Sequence, residues 1–274
     1  MLLALDVGNT HILGGVFDGE KLILRFRYAT YQLGTADQFG IFLRNILQTN
    51  GLASDKVKAV AVCSVVPSCN YTIRHAITQY FKTADLFNLQ AGVKTGLNIK
   101  YKNPAEVGAD RIANAIGAVR AFPNRNIIII DAGTATTFCA IRKNKDYLGG
   151  VILAGVRLSM EALKSNTAKL MEVDIEVPST YLGKTTREGI QRGLYFGHLG
   201  ALREIVAGLK KELFTDEQVM IIGTGGFSQL FRDENIFDSI LPDLVLQGLK
   251  VAYEYSLEST VKGEHLAKKS KSGK

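Results

Sequence analysis

The chain begins with three short apolar runs separated by polar turns. Their spacing predicts strands at 2–6, 12–17 and 21–28, joined as an antiparallel meander, with an Asp18-Gly19 pair typical of the second turn. The first turn, "GNT" at 8–10, follows the aspartate that ends the first strand. An ordinary tight turn explains this pattern simply, because Asn and Gly suit such backbones, and a phosphate or metal site explains it as well.

Helical periodicity follows the meander and recurs in several segments along the rest of the chain. A capping-box pair, Thr35 and Gln38, starts the first helix, and Asn50-Gly51 stops it. Further helices are predicted at 67–81, 111–121, 186–214 and 243–259, and further strands at 57–66, 146–155 and 219–226.

The second half of the chain repeats the pattern of the first. "NIIIIDAGTATTFCAIRK" begins at Asn126, and placing Asp6 on Asp131 makes strand, turn and strand coincide. Both copies put an acidic residue at the end of an apolar strand with glycine two residues later, and a third strand follows each copy. This internal similarity predicts a duplicated lobe.

Length and composition indicate a globular protein of two lobes. The chain has 274 residues, more than a single domain usually has, with 46% hydrophobic and 22% charged residues. No stretch approaches the roughly 18 apolar residues that span a bilayer, and no signal-peptide pattern precedes the first strand. We therefore expect a cytoplasmic protein without membrane contact.

Charge, cysteines and histidines argue against other classes of partner. The formal net charge is +7, but the basic tail contributes Lys268, Lys269, Lys271 and Lys274. Such a tail is usually a solvated end, so we expect no nucleic-acid partner. The three cysteines form no CxxC pair and the four histidines lack metal-ligand spacing, which predicts reduced structural thiols and no zinc site.

The two strand-terminal aspartates carry the candidate chemistry. A carboxylate at the end of a buried strand is unfavourable unless a donor or a cation meets it. The glycine turns after Asp6 and Asp131 can present backbone N–H groups and hydroxyls to phosphate oxygens, while a carboxylate holds hydrated magnesium. The pair favours a nucleoside triphosphate site between two lobes over two unrelated turns.

Four motifs in order resemble a known family. They are "DVGNT" at 6–10, "GADR" at 108–111, "DAGTATT" at 131–137 and "TGG" at 224–226. This combination resembles type III pantothenate kinase, in the superfamily of acetate kinase, sugar kinases, actin and the heat-shock ATPases. The resemblance covers about residues 2–258. It implies an α/β fold of two duplicated ribonuclease H-like lobes with a nucleotide cleft between them.

The resemblance also implies a reaction. This is the ATP-dependent phosphorylation of the primary hydroxyl of pantothenate, the first step toward coenzyme A, with magnesium and a monovalent cation (potassium or ammonium), in a homodimer. We expect the lobes at 1–122 and 123–260 and a basic, disordered tail at 261–274. The alternatives are a sugar or carboxylate kinase of the same superfamily and a non-catalytic regulatory homologue related to transcription.

Roles for individual residues follow from the same resemblance. Asp110 falls on the general base, Asp6 on the carboxylate that binds magnesium through water, and Asp131 on a ligand of the monovalent cation. The positions for ATP are Asp6, Val7, Gly8, Asn9, Thr10, His11, Ile12, Leu13 and Thr134, and those for pantothenate are Tyr101, Gly108, Ala109, Asp110, Arg111 and Thr186.

Several assignments have plainer structural alternatives. Asp110 can cap the helix predicted near Arg111, and Arg111 can form a surface ion pair. Thr186 can cap the long helix, and Tyr101 can be a half-exposed loop residue.

Three further features of the sequence bear on these assignments. "GKT" at 183–185 is not a Walker A loop, because the first glycine of that motif would have to be Pro178. Ala154-Gly155 stands where the family usually has Pro-Gly. Glycines recur every four residues along one face of the long predicted helix and permit close helix contact, within a lobe or between subunits: Gly189, Gly193 and Gly197.

Overall fold

A computed structural model describes residues 1–167 and 169–271, and the side chains from 259 onward lie outside that description. The helices are α1 (Ala36–Thr49), α2 (Pro67–Tyr80), α3 (Ala109–Ala121), α4 (Val156–Ser165), α5 (Thr186–Leu213) and α6 (Leu244–Lys271). The strands are β1 (Leu2–Val7), β2 (His11–Asp18), β3 (Lys21–Ala29), β4 (Ala59–Ser64), β5 (Asp85–Leu89), β6 (Asn98–Ile99), β7 (Asn126–Ala132), β8 (Ala135–Ile141), β9 (Asp146–Ala154), β10 (Val219–Thr224) and β11 (Ser239–Ile240). Every described helix is too short or too polar to span a lipid bilayer.

The chain forms two compact units. The first contains Met1–Leu97, Lys102–Arg120 and the C-terminal segment from Leu244, and the second contains Asn98–Tyr101 and Ala121–Asp243. Each unit has its own sheet and its own hydrophobic core.

The first sheet has the strand order β3-β2-β1-β4-β5. Its first three strands are the antiparallel meander that the sequence predicts, and their ends agree with the prediction to within one residue. β1 then pairs in parallel with β4, and β4 pairs in parallel with β5.

Helices α1 and α2 cover one face of this sheet. The predicted capping box at the start of α1 is confirmed: the Thr35 side chain accepts the Gln38 N–H at 3.3 Å, and the Gln38 side chain accepts the Thr35 N–H at 2.8 Å. The core between sheet and helices is apolar and includes Leu3, Leu5, Val7, Val60, Val62, Phe39, Leu43 and Ile73.

The final helix belongs to the first unit, although the sequence places residues up to 260 in the second lobe. α6 packs on β1 and β4 and against α3. A Cβ on Gly248 would overlap the backbone carbonyl of Ala113, and a Cβ on Gly117 would meet the Leu244 carbonyl at 2.7 Å. This tertiary contact places the helix in the first unit, which the order of elements along the chain does not reveal. α6 extends to Lys271 and so includes most of the tail predicted to be disordered, while residues 272–274 lie outside the described residues.

The second sheet repeats the first and adds a strand. Its order is β11-β10-β7-β8-β9-β6, in which β9-β8-β7-β10-β11 has the order and pairing directions of β3-β2-β1-β4-β5. β6 pairs in parallel with the outer edge of β9. The duplicated α/β architecture predicted from the sequence is therefore confirmed.

Helices α4 and α5 pack on the second sheet. Leu199 and Leu202 of α5 and Met160 of α4 share a buried cluster with Ile128 and Phe138 of the sheet. The exposed side of α5 carries the three regularly spaced glycines, and a Cβ on any of them would meet no atom within 4 Å. The Cβ directions of these glycines are therefore open, although Gly183 of the same unit lies against the Gly189 backbone.

Candidate active site

The first polar turn lies at the end of β1 and is held by defined hydrogen bonds. Asp6 pairs with Leu13 of β2 on one side and with Cys63 of β4 on the other. The Gly8 N–H donates to the His11 carbonyl at 3.1 Å, which closes the turn. The Thr30 hydroxyl donates to the Gly8 carbonyl at 2.7 Å, and the Thr30 N–H donates to the Thr10 carbonyl at 3.0 Å. Thr30 thus fixes both ends of the turn.

The predicted nucleotide-binding stretch divides into core and surface positions. Val7 and Ile12 are fully buried in the hydrophobic core, so only their backbones can reach a ligand. Asn9 and His11 are exposed, whereas Gly8, Thr10 and Leu13 are half-buried. His11 contributes its backbone carbonyl to the turn.

Asp110 lies in the first turn of α3, which begins two residues earlier than predicted. The Ile112 N–H donates to the Gly108 carbonyl at 3.1 Å, so Gly108 begins the hydrogen-bonding pattern of the helix. Asp110 Oδ1 accepts the Arg111 N–H at 2.7 Å. A Cβ on Gly108 would overlap this carboxylate oxygen, so glycine is required for the observed orientation of Asp110. The helix-capping alternative is thus correct in part, because the Asp110 carboxylate accepts a backbone N–H of the first turn of α3.

Burial changes the proton affinity of Asp110. Loss of solvent around the carboxylate raises its pKa above the ordinary value, although the Arg111 N–H and the Arg111 charge act in the opposite direction. Arg111 itself is buried, with 6% of its surface exposed, so the surface-ion-pair alternative for this residue is wrong.

Sequence reasoning missed Cys63, whose thiol is hydrogen-bonded to Asp6. Its Sγ–H donates to Asp6 Oδ1 at 3.2 Å, and its side chain is 1% exposed. Burial raises the pKa of the Cys63 thiol, and the charges of Asp6 and Asp110 raise it further. We call Asp6, Cys63 and Asp110 the carboxylate cluster: Cys63 is hydrogen-bonded to Asp6, and the charge of Asp110 acts on the same thiol. Only the parallel register of β1 and β4 reveals this contact.

The second unit places Asp131 in the equivalent position. Asp131 lies one residue before the end of β7 and pairs with Thr224 of β10 in parallel, as Asp6 pairs with Cys63. Gly225 follows with a φ of +83°, and a Cβ there would overlap Asp131 Oδ1 and lie 2.7 Å from the Ala132 carbonyl oxygen. Two oxygen atoms therefore border the space beside Gly225. Among the described residues, no group of three or more His, Cys, Asp or Glu side chains is arranged to hold a metal ion.

The turn after Asp131 is tight and packs against Gly155. The Gly133 N–H donates to the Ala135 carbonyl at 3.1 Å, and the Gly155 N–H donates to the Thr134 carbonyl at 3.1 Å. A Cβ on Gly155 would overlap that Thr134 carbonyl. The glycine of the unusual Ala154-Gly155 pair is thus the sterically restricted residue, whereas Ala154 is an exposed strand end.

The two other predicted pantothenate residues lie in the second unit. Tyr101 is half-buried, and its ring approaches Gly149, whose φ is +130°. Thr186 is the exposed first residue of α5. The helix cap is Thr185, whose side chain accepts the Glu188 N–H at 3.2 Å, so the capping alternative for Thr186 is wrong by one residue.

A cavity of about 340 Å³ lies elsewhere in the first unit. Val62 and Ser64 of β4 line it together with Ile73 and Arg74 of α2 and Asn88 of β5. Alternate residues of a strand point to opposite faces, so this cavity and the Cys63 side chain lie on opposite faces of the sheet. None of the predicted site residues lines the cavity.

Comparison with known proteins places the chain among relatives of known family. A family profile described as type III pantothenate kinase matches residues 2–208. A type III pantothenate kinase of Legionella pneumophila (strain Paris) is 54% identical over 252 residues, which cover 92% of this chain and 98% of the relative. A second, from Elusimicrobium minutum, is 47% identical and covers 93% and 98%. Among solved structures, a ROK hexokinase of Thermus thermophilus aligns with a TM-score of 0.51 at 12% identity, covering 94% and 99%, which supports the fold alone.

Proposed function

Because the chain belongs to the type III pantothenate kinase family and is therefore a kinase that phosphorylates pantothenate, we propose that Asp110 is its general base and Asp6 its magnesium-binding carboxylate. The observation that carries this proposal is the carboxylate cluster, in which the Cys63 thiol donates to Asp6 and the charge of the buried Asp110 carboxylate acts on the same thiol. Phosphoryl transfer needs a positioned hydroxyl, a proton acceptor and neutralised phosphate charge more than it needs covalent catalysis.

Asp110 accepts the proton of the attacking hydroxyl. The primary hydroxyl oxygen of pantothenate forms a bond to the terminal phosphorus of ATP, the bond from that phosphorus to the bridging oxygen breaks, and ADP leaves. The hydroxyl proton passes to the carboxylate. Burial supports this role, because the raised pKa of Asp110 makes its ionised form a better proton acceptor.

Asp6 and the following turn bind the phosphates with magnesium. Magnesium prefers oxygen ligands and commonly uses one or two carboxylates together with substrate phosphates. A single half-buried carboxylate beside a glycine turn fits that requirement. When bound, the ion would neutralise phosphate charge, while Gly8, Asn9 and Thr10 orient the phosphate oxygens and Thr134 serves the second turn.

Asp131 supplies an oxygen ligand for a monovalent cation, either potassium or ammonium. The Asp131 carboxylate and the Ala132 carbonyl both border the space beside Gly225. Oxygen atoms of this kind suit hard cations without strict geometric demands.

Gly108, Ala109, Arg111, Tyr101 and Thr186 contact pantothenate in this proposal. Arg111 offers a buried guanidinium, which suits the carboxylate of that substrate. A cytoplasmic location also belongs to the proposal, and it is supported by Cys63, Cys69 and Cys139, which form no disulfide, because reducing compartments keep cysteines as thiols.

The functional unit is a homodimer that associates through the glycine face of α5. That face is exposed, and Tyr181 and Leu182 beside it are 75% and 76% exposed. Tyr181 stacks on Phe196 of α5 with ring centroids 3.8 Å apart. An exposed apolar surface next to small residues suits contact with another copy of the chain.

Substrate competition tests the reaction itself. Purified protein with ATP, magnesium and potassium is given pantothenate or one of several sugars, and ADP release is measured. We expect turnover with pantothenate alone. Preference for a sugar would favour another kinase of the same fold, and turnover with neither would favour a regulatory role.

A further inference from the structure

The Cys63 thiol occupies a position that a purely structural cysteine does not need. It lies at the sheet position beside Asp6, and its Sγ–H donates to Asp6 Oδ1 at 3.2 Å. Cys69, on α2, is buried to a similar extent, with 7% exposed, but it makes no side-chain contact with a carboxylate among the described residues.

The duplicated fold provides an internal comparison. In the second unit, Thr224 of β10 pairs with Asp131 as Cys63 of β4 pairs with Asp6, and it is 2% exposed. Both units therefore place a small, buried side chain with a hydrogen-bond donor beside the strand-terminal aspartate. A role toward the aspartate explains this shared property better than hydrophobic packing alone.

We infer that Cys63 is a positioning residue for magnesium binding: its S–H holds the Asp6 carboxylate in the orientation that the metal and the phosphate turn require. A thiol is a weak donor, so it orients the carboxylate without strongly competing with a cation for its negative charge. Partners that orient metal-binding carboxylates commonly affect metal affinity. This inference rests on the proposed role of Asp6.

The test compares Cys63→Ala and Cys63→Ser with the control Cys69→Ala. Magnesium binding is measured by calorimetry in the presence of a non-hydrolysable ATP analogue, and the half-saturating magnesium concentration and the KM for pantothenate are measured in the kinase reaction. Each alanine variant removes one buried thiol from the first unit. Both are expected to lower Tm, which controls for loss of packing.

For Cys63→Ala we expect magnesium affinity to fall about 3- to 10-fold, less than the ~10- to 100-fold typical of such partners, because a thiol donates weakly. The KM for pantothenate should change less than about twofold. Cys63→Ser should recover part of the affinity because a hydroxyl also donates. Cys69→Ala should bind magnesium like the wild type.

Three results would overturn the inference: wild-type magnesium affinity in Cys63→Ala, equal losses in both alanine variants, or Cys63→Ser no better than Cys63→Ala. If Cys63→Ala does not fold, wild-type affinity in Asp6→Asn together with a loss in Cys63→Ser would overturn it as well. Asp6→Asn also separates the two proposals. Unchanged magnesium affinity in Asp6→Asn contradicts the role of Asp6 itself. Reduced magnesium affinity in Asp6→Asn, together with wild-type affinity in Cys63→Ala, contradicts only the role of Cys63.

Discussion

Asp110 is a hydrogen-bond acceptor in the first turn of α3 and, in our proposal, the general base. Oδ1 accepts a backbone N–H of the first turn of α3, and the absence of a side chain at Gly108 leaves room for that oxygen. Burial raises the pKa of the same group. A residue that only capped the helix would have the first property without needing the second.

Replacing Asp110 by Asn should separate these functions. An amide oxygen still accepts the Arg111 N–H, but it cannot take the substrate proton, so kcat should fall by ~10²- to 10⁴-fold. The raised pKa means that ionisation is less favourable in the folded protein than in the unfolded chain, and this destabilisation is fully present above the folded-state pKa. Tm at pH 7 should therefore stay equal or rise. Steady-state kinetics and thermal unfolding check both expectations, and wild-type kcat would contradict the base assignment.

The pH dependence of the reaction should report the same group. Only the ionised carboxylate accepts a proton, so kcat/KM should decrease as the pH falls through the pKa of Asp110, above the ordinary range for an aspartate. The measurement is a pH–rate profile at saturating ATP, magnesium and potassium, limited to conditions in which the protein remains folded. An acid limb shared by the wild type and Asp110→Asn would have to come from another group.

At the scale of elements, glycines permit close packing of two helices. Gly248 and Gly117 bring α6 against α3 at backbone distance, whereas the glycines of α5 leave their own side of the helix uncovered. Helix α4 and the short strands β5, β6 and β11 were not predicted. Only Gly155 separates α4 from β9, and the strand predicted at 146–155 includes that glycine. The three strands are too short or too polar to form a clear pattern.

Gly248→Ala should weaken the packing of α6. The new methyl group would overlap the Ala113 carbonyl, and such overpacking typically destabilises by about 1–3 kcal/mol. Gly208→Ala in α5 is the control, because its methyl group meets no atom and should stabilise the helix by about 0.5–1 kcal/mol. Urea unfolding monitored by circular dichroism gives both values. Equal midpoints for the two variants would show that α3 and α6 do not pack this closely in solution.

On the scale of the whole molecule, the proposed dimer predicts a different response on α5. Gly193→Ala should behave like Gly208→Ala in an isolated chain, since a methyl group fits at both positions. At a close subunit contact, Gly193→Ala should instead shift the mass measured by light scattering from a dimer toward 29.9 kDa at lower concentrations. A wild-type protein that is fully active as a monomer would contradict the dimer.

The proposed cation site predicts a dependence on salt identity. Activity should be higher in potassium or ammonium than in sodium at constant ionic strength, because the oxygens near Gly225 would bind the larger ions better. Asp131→Ala should remove the difference. Magnesium titrations of each sample would verify that the divalent site is unaffected, and equal rates in all three salts would argue against the site.

The sequence by itself determined the meander, the capping box, the internal repeat and the two strand-terminal aspartates, because these depend on residues that are neighbours along the chain. Local propensity and alternation of polarity suffice for such features. The motifs also indicated the family, which the comparisons then showed.

Only the tertiary structure decided which distant residues meet. The parallel register of β1 and β4 brings Cys63 beside Asp6, and the fold lets the charge of Asp110 in α3 act on the same thiol. Likewise, backbone contact between Gly248 and α3 assigns the last helix to the first unit. The physical reason is common to all three: register and packing depend on the steric fit of segments far apart in sequence, and no local pattern records that fit.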